Sequence, residues 1–562
     1  MSWGPGLETR LGPAQRAESV RRLSTDSFDV LVIGGGVTGC GIALDAAARG
    51  LRVALAEQGD LAEGTSSRSS KLIHGGLRYL ESKQFDLVRE ALRERRLLLD
   101  KLAPHLVKRI PFLFPLHRKV WERAYVGSGV FLYDALAGKK AALPRHRHLT
   151  RSSCLKLVPA LAGDSLTGGI RYYDAQVDDA RYVVTLARTA AAYGARIVTR
   201  LRVDDLLTEG GRVTGAKVSD LAGGASFSIR ATVTINATGV WATSIERMAG
   251  AAGPLQVRAS KGVHILVPRD RIASRAALVV RTEESVLFVL PWDSHWLIGT
   301  TDTEWTLSPG HPTASRADID YLLRHVNALL RTPLRHRDIV GVYAGLRPLV
   351  DLTGRHDGQH HTAQLSREHV VRRSRPGLVT VAGGKYTTYR LMAADAVDTA
   401  VADLPFSADT SRTADIPLLG AIGLASAPAR CHERPGAATL DDATLAHLVG
   451  RYGSLATGVL DLVAADPSLA APLPGAGRYL AAEAAYAVRC EGALHIEDVL
   501  TRRTHVAIEA GDHGLAAAEP VARIMARVLG WDAATTRTEV ATYHDRVAAE
   551  TASLGQPDLI AS

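Results

Sequence analysis

Cysteine is scarce in this chain. Four residues, Cys40, Cys154, Cys431 and Cys490, are spread over 562 positions with no C-x-x-C pair among them, which argues against both a disulfide framework and a cysteine metal site. Aromatic residues make up only 5% of the chain, and just 8 are phenylalanine. No stretch approaches the ~18 uninterrupted apolar residues of a membrane-spanning helix. Residues 1–28 lack the apolar core of a secretory signal. These absences lead us to expect an intracellular chain with no crossing segment, opening on a flexible extension over 1–28. No helix-turn-helix, ribonucleoprotein or zinc-finger pattern occurs, so nucleic acid is not the expected partner. A net charge of +9 and a pI near 9.4 instead suit a phosphorylated substrate or an acidic lipid surface. Hydrophobic content of 46% and charged content of 22% are those of a globular protein, and the length exceeds what one core holds, so two or three domains are expected.

Glycine, by contrast, is plentiful and well placed. Val30 to Ile33 forms an apolar run with no alternation, the signature of a parallel strand buried on both faces. It stops at Gly34, Gly36 and Gly39 in G-x-G-x-x-G spacing. The first permits a tight turn, the second lets backbone approach a pyrophosphate, and the third lets the next helix lie close, its N-terminal amides facing the phosphates. A second strand, Leu51 to Ala56, ends in Glu57, placed to accept from a ribose hydroxyl. The complete order strand, glycines, small-residue helix, strand, acid predicts a bound dinucleotide, without specifying which one.

Residues 60–80 then bring hydroxyls and backbone donors past the same ligand. Ser66, Ser67, Ser70, Lys71, His74 and Gly75 are the candidate cofactor contacts there, with a capped helix start as the plainer alternative. Residues 101–151 hold 11 Lys or Arg against Glu122 and Asp134, interleaved with Phe112, Phe114, Trp121, Tyr125, Phe131 and Tyr133. That mixture suits an element lying on an acidic membrane, and equally a basic face over a core. A strand running into Asn236-Ala-Thr-Gly239 lets Ala237 and Gly239 pass close to a flat ligand. A glycine turn, Gly383-Gly384-Lys385 followed by Thr387, offers a second anion-friendly helix start. The Ala-rich stretch 437–552 reads as a separate helical domain. The expected division is 29–80, 166–250 and 345–405 for nucleotide binding, 81–165 and 251–344 for substrate, and 410–555 for the helical part.

Taken in order, Gly34 to Gly39 with Arg49-Gly50, Ser66-Ser67 to Lys71, Ile73-His-Gly-Gly-Leu-Arg-Tyr-Leu80, Asn236 to Gly239, Lys261-Gly-Val-His264, Gly299-Thr-Thr-Asp302, Gly345-Leu-Arg-Pro348 and Gly383-Gly-Lys-Tyr-Thr-Thr-Tyr-Arg390 resemble the FAD-dependent (aerobic) glycerol-3-phosphate dehydrogenases over roughly residues 29 to 510. The extension and the basic 139–151 segment depart from that pattern. The resemblance implies an α/β fold with a Rossmann-like FAD-binding domain of the D-amino-acid-oxidase type, a sheet-rich substrate domain and an all-helical C-terminal domain. It implies non-covalent FAD, oxidation of sn-glycerol 3-phosphate to dihydroxyacetone phosphate, and electrons passed to membrane quinone at the cytoplasmic side of the cell membrane, with a homodimer allowed for. Arg78, Tyr79, Arg347, Arg367 and Lys385 are the expected substrate contacts, Lys385 also serving the flavin. Arg347 and His264 are the expected catalytic residues, His264 as base, with His74 a poorer candidate for that proton. An oxidase using oxygen, or a non-catalytic flavoprotein recruited to membranes, are the alternatives.

Overall fold

The computed structural model describes residues 9–81, 83–118, 121–138, 143–250, 255–282, 286–350 and 368–553. The chain opens with helix α1 (Pro13–Thr25), strand β1 (Ser27–Ile33), helix α2 (Val37–Ala48) and strand β2 (Val53–Ala56). The two strands pair in parallel, Val30 opposite Val53 and Ile33 opposite Ala56, and every residue of β1 after Ser27 is buried, as the unbroken apolar run requires. The expected flexible extension is corrected over 13–25, where α1 packs on the sheet. Leu23 is fully buried, and Arg16 bonds Asp220 at 2.7 Å. Beside these only Ser19 is buried and Val20 partly buried against the same core, too short an apolar pattern to announce the helix.

After a loop passing back under β1 come α3 (Phe85–Leu97), β3 (Val107–Leu116), α4 (Trp121–Leu136) and β4 (Gly168–Val177), then α5 (Asp179–Ala192) and β5 (Arg196–Val198). Asp178 starts α5 by accepting from Arg181 N at 3.0 Å. Next run β6 (Leu201–Glu209), β7 (Arg212–Asp220), β8 (Ser226–Asn236), β9 (Val257–Pro268), β10 (Ala277–Arg281), β11 (Val286–Trp292), β12 (His295–Gly299), α6 (Arg316–Asn327), β13 (Gly341–Val350), β14 (His369–Arg375), β15 (Leu378–Gly383) and α7 (Tyr389–Val401).

Two sheets result. The first has the order β14-β15-β8-β1-β2-β5, extended by the β6–β7 meander through β8. Helices α2, α5 and α7 cover one face, and α1 with the meander covers the other. The second is ten-stranded, with β9, β12, β11, β10, β3 and β4 in sequence and β13 added on β9. It takes β4 and β13, of which β4 and the 345–350 part of β13 were expected in the nucleotide-binding part. Both follow the partner they hydrogen-bond, β4 along all of β3 and β13 along β9 from Val257 to Leu266, and such pairing leaves no local mark. Residues 411–553 form helices around their own core. That unit is locked to the first sheet by a buried carboxylate, because Asp60 accepts from Arg502 Nε at 2.5 Å and from both terminal nitrogens of Arg503 at 2.6 and 2.7 Å. Removing Asp60 would leave the buried Arg503 with only the Glu491 carbonyl, at 2.8 Å, at a cost of about 3–5 kcal/mol, while Arg502 would keep Asp498 at 2.7 Å. Among the described residues no helix is long and apolar enough to cross a membrane.

Candidate functional site

The carboxyl ends of β1, β2, β8 and β15 converge on a cavity of roughly 600 Å³, the position where open α/β sheets bind ligands. Gly34 has φ +111°, and a Cβ there would lie 2.7 Å from Ala237 O. At Gly39 a Cβ would lie 1.9 Å from Gly34 O, so α2 approaches the turn as closely as backbone permits. Gly39 thus shapes the cradle from behind. Gly34, Gly36, Glu57, Ser66, Ser70, His74, Ala237, Gly239, Gly384 and Lys385 all line the cavity. Glu57 already accepts from Gly35 N at 2.5 Å and Gly59 N at 2.7 Å. Burial nevertheless pushes its carboxyl up to about 7, and two of its lone pairs remain for a hydroxyl. Ser66 Oγ accepts from Val37 N at 3.0 Å, fixing the first turn of α2 beside the phosphate path. Leu201, Val203, Ile245 and Met248 supply an apolar end that no motif in the sequence marks. A glycine cradle that side chains would fill, helix amides and a terminal carboxylate fit an extended dinucleotide.

Four other expected cofactor contacts stand behind the wall. Lys71 is buried, with Nζ 2.6 Å from Asp179 Oδ1 and the rings of Trp292 and Tyr343 over it at 5.1 and 5.4 Å. Its partner lies 108 positions away, so adjacent sequence could not reveal the pair. Ser67 gives its carbonyl to that ammonium at 3.2 Å. Gly75 N donates to Tyr133 Oη at 2.7 Å. Thr387 Oγ1 accepts from His74 N and donates to His74 O, both at 3.2 Å. These residues hold the loop that presents His74, and none lines the cavity.

The second sheet supplies the polar wall. Along β9 the side chains alternate, so Ser260, Gly262 and His264 share one face, while Lys261 on the other pairs with Asp318 at 2.7 Å. Register sets Ser260 opposite Arg347, and His264 opposite both Tyr343 and Gly299. A Cβ at Gly262 would lie 2.4 Å from Arg347 Nη2, so that glycine makes room for the guanidinium. Arg347 donates to Thr300 Oγ1 at 2.8 Å, Thr301 O at 2.9 Å and Ser260 Oγ at 3.1 Å, with Asp302 3.5 Å away. The His264 ring lies against Gly299 and stacks on Tyr343 with centroids 4.9 Å apart. Its Nε2 meets Ser70 Oγ at 2.9 Å, and its buried Nδ1 has no hydrogen-bond partner among the described residues. Burial, then the nearby Arg347 and Lys71 charges, hold the imidazole well below its usual range, so it is neutral, with an unprotonated ring nitrogen but a weakened basicity. Lys385 Nζ sits 3.5 Å from the Tyr79 ring centroid, and both residues line the cavity. Arg78 lies in the turn Leu77–Leu80, and only its backbone is described. Arg367 lies outside the described residues. The sequence motifs contained Thr300, Asp302 and Gly262 but did not show that they meet Arg347.

Comparison with known proteins agrees with this geometry. Residues 29–390 match the family model described as FAD dependent oxidoreductase, and 411–536 match that of the C-terminal domain of alpha-glycerophosphate oxidase. The chain is 56% identical to glycerol-3-phosphate dehydrogenase 2 of Mycobacterium tuberculosis over 548 residues, covering 98% of this chain and 93% of that one. It is 37% identical to the mitochondrial glycerol-3-phosphate dehydrogenase of Mesocricetus auratus, covering 94% and 74%. Among solved structures, the glycerol-3-phosphate dehydrogenase from Bacillus halodurans complexed with FAD superimposes with a TM-score of 0.79 at 26% identity, over 97% of this chain and all of that one. The cradle, the paired sheets and the helical C-terminal unit thus mark this chain as an FAD-dependent enzyme that belongs to the glycerol-3-phosphate dehydrogenase family.

Proposed function

We propose that the chain oxidises sn-glycerol 3-phosphate to dihydroxyacetone phosphate and passes the electrons to a quinone in the membrane. The observation that carries this reading is Arg347 beside a neutral, buried His264 on the wall of the FAD cavity, together with the names of the relatives above. FAD, when bound, supplies the two-electron acceptor that takes the C2 hydride at N5. Arg347, presented by three acceptors, meets the phosphate dianion, and Lys385 and Tyr79 close on the other side. Arg78 and Arg367 add cations by family resemblance. His264 takes the C2 hydroxyl proton, its ring held between Gly299 and Tyr343. Asp302 beside Arg347 keeps the guanidinium aligned.

Helix α4 supports a position on the acidic cytoplasmic face of the membrane. Trp121, Tyr125 and Phe131 are 54%, 48% and 66% exposed, while Val126, Val130 and Tyr133 on the same helix are buried. Arg118 lies 5.4 Å from the Trp121 ring centroid, and Arg123 reaches Leu149 O at 3.2 Å. Exposed aromatics among cations suit the headgroup region. The acceptor is tested by reducing the enzyme with glycerol 3-phosphate under nitrogen, then admitting either quinone in vesicles or oxygen. Quinone should reoxidise the flavin much the faster. Rapid peroxide release on oxygen would assign an oxidase instead.

A further inference from the structure

A second cavity of roughly 670 Å³ adjoins the first and shares Ser70, Leu72, His74, Tyr79 and Arg347 with it. On that side it also meets Thr300 and Asp302. Away from them its walls are largely apolar, with Phe112, Phe114, Val279 and Phe288 beneath Leu132 and Gly129 of α4, and Glu81, Lys83, Asp174 and Arg281 also line it. It reaches the surface at Phe85 and Tyr125, which are 40% and 48% exposed, beside the exposed aromatic side of that helix. Glycerol 3-phosphate is polar over its whole length and leaves this arm without a use. The volume is that of a site for a ligand several times larger.

We infer that the substrate site continues into this arm, and that the enzyme also oxidises glycerol 3-phosphate bearing an alkyl or acyl chain on the C1 oxygen. The inference rests on the reading given under Proposed function. Such an amphiphile keeps the C3 phosphate that Arg347 meets and the free C2 hydroxyl that His264 faces, and its chain runs along the apolar wall toward α4. The balance is that of the parent reaction. The C2–H bond breaks with its electron pair going to bound FAD, the hydroxyl proton goes to His264, and C2 becomes a carbonyl. The C1 substituent is untouched, and the product is a 1-O-substituted dihydroxyacetone phosphate. A quinone would fit the apolar part, but it carries no anion to meet the arginine. The amphiphile is matched at both ends.

The test uses the FAD-loaded enzyme under nitrogen and 1-O-butyl, hexyl and octyl ethers of sn-glycerol 3-phosphate, in which the chain cannot migrate. We expect each to bleach the flavin, with half-saturation tightening about fourfold per methylene buried. The 2-O-methyl derivative of the hexyl ether, which cannot be oxidised, should bind by calorimetry and leave the flavin oxidised. Gly129→Phe should plug the arm, since nothing lies within 4 Å of a Cβ added there and phenylalanine is at least as compatible with a helix as glycine. It should lower the preference for hexyl ether over glycerol 3-phosphate at least tenfold. Bleaching by glycerol 3-phosphate but not by the ethers, or by all with no dependence on chain length, overturns the inference. An ether that only competes with quinone gives the arm to the acceptor and overturns it too. If glycerol 3-phosphate itself fails to bleach the flavin, the parent reading is what fails. Calorimetry with the methyl derivative then decides separately whether the arm takes a chain.

Discussion

Arg347→Ala should separate phosphate recognition from chemistry. The guanidinium makes three hydrogen bonds of 2.8 to 3.1 Å to Thr300, Thr301 and Ser260, with Asp302 at 3.5 Å, and its side chain is 21% exposed. It is therefore fixed before any phosphate arrives, and little ordering entropy is lost on contact. A hydrogen bond to a charged group contributes about 1.5–3 kcal/mol, which corresponds to roughly 10- to 150-fold in half-saturation. Asp302 offsets part of the positive charge, so we expect the lower half of that range. Arg347→Lys should fall between the two, keeping the charge and losing the fork. The assay is the dependence of flavin reduction on glycerol 3-phosphate and, in parallel, on glycerol, which has no phosphate to lose. The ratio of the two half-saturation values should collapse toward one, with thermal unfolding within a few degrees of the parent. Equal weakening for both substrates would mean that Arg347 only holds Ser260 and the Thr300–Asp302 turn in place.

Gly36→Val should abolish FAD retention while the protein stays folded, because Gly36 lines the cavity and its nearest obstacle is the Ser66 hydroxyl at 3.1 Å; Gly39→Val should not yield folded protein, given the 1.9 Å approach to Gly34 O, and flavin absorbance with circular dichroism reads both. His264→Ala should slow flavin reduction at saturating substrate by ~10² or more, and an unchanged rate would move proton removal to another group. Arg118→Ser with Arg123→Ser should lower binding to acidic vesicles and quinone-linked turnover together, leaving turnover with a soluble dye nearly intact, since each cation contributes ~1 kcal/mol near an anionic surface; equal loss with both acceptors would assign these residues to the fold. Burial works against the charge on Glu497, but Arg502 and Arg546 hold it to about 2. A depressed carboxyl contributes stability that is present above its unfolded value and lost as pH falls through the folded one. The helical domain, within which all three residues lie, should therefore lose stability from about pH 4.5 toward 2, and Glu497→Gln should flatten that part of the unfolding profile.

The nucleotide cradle was legible because sterics alone dictate it, with Gly34 and Gly39 sitting where no other residue fits. Much of what surrounds it was not, because it depends on pairing across the sheet. Lys71 carries the same charge whether it faces a pyrophosphate or Asp179, and only the fold chooses between them. Gly75 and Thr387 belong to motifs that mark the site without touching the cavity, since their task is to pin the His74 loop. His264 was found by its motif. Its stack on Tyr343 and its place over Gly299 follow from a register linking positions 35 to 79 residues apart, which no local pattern reports. The packing of α1 was hidden for a different reason, since Leu23 with a partly buried Val20 makes too short a pattern to read as periodic.

Anaerobic titration of the FAD-loaded enzyme with sn-glycerol 3-phosphate tests the central claim most directly. One equivalent should bleach the flavin and yield one dihydroxyacetone phosphate per FAD, with glycerol at the same concentration leaving the spectrum unchanged. A flavin that stays oxidised at saturating glycerol 3-phosphate, or one bleached without dihydroxyacetone phosphate appearing, would contradict the account.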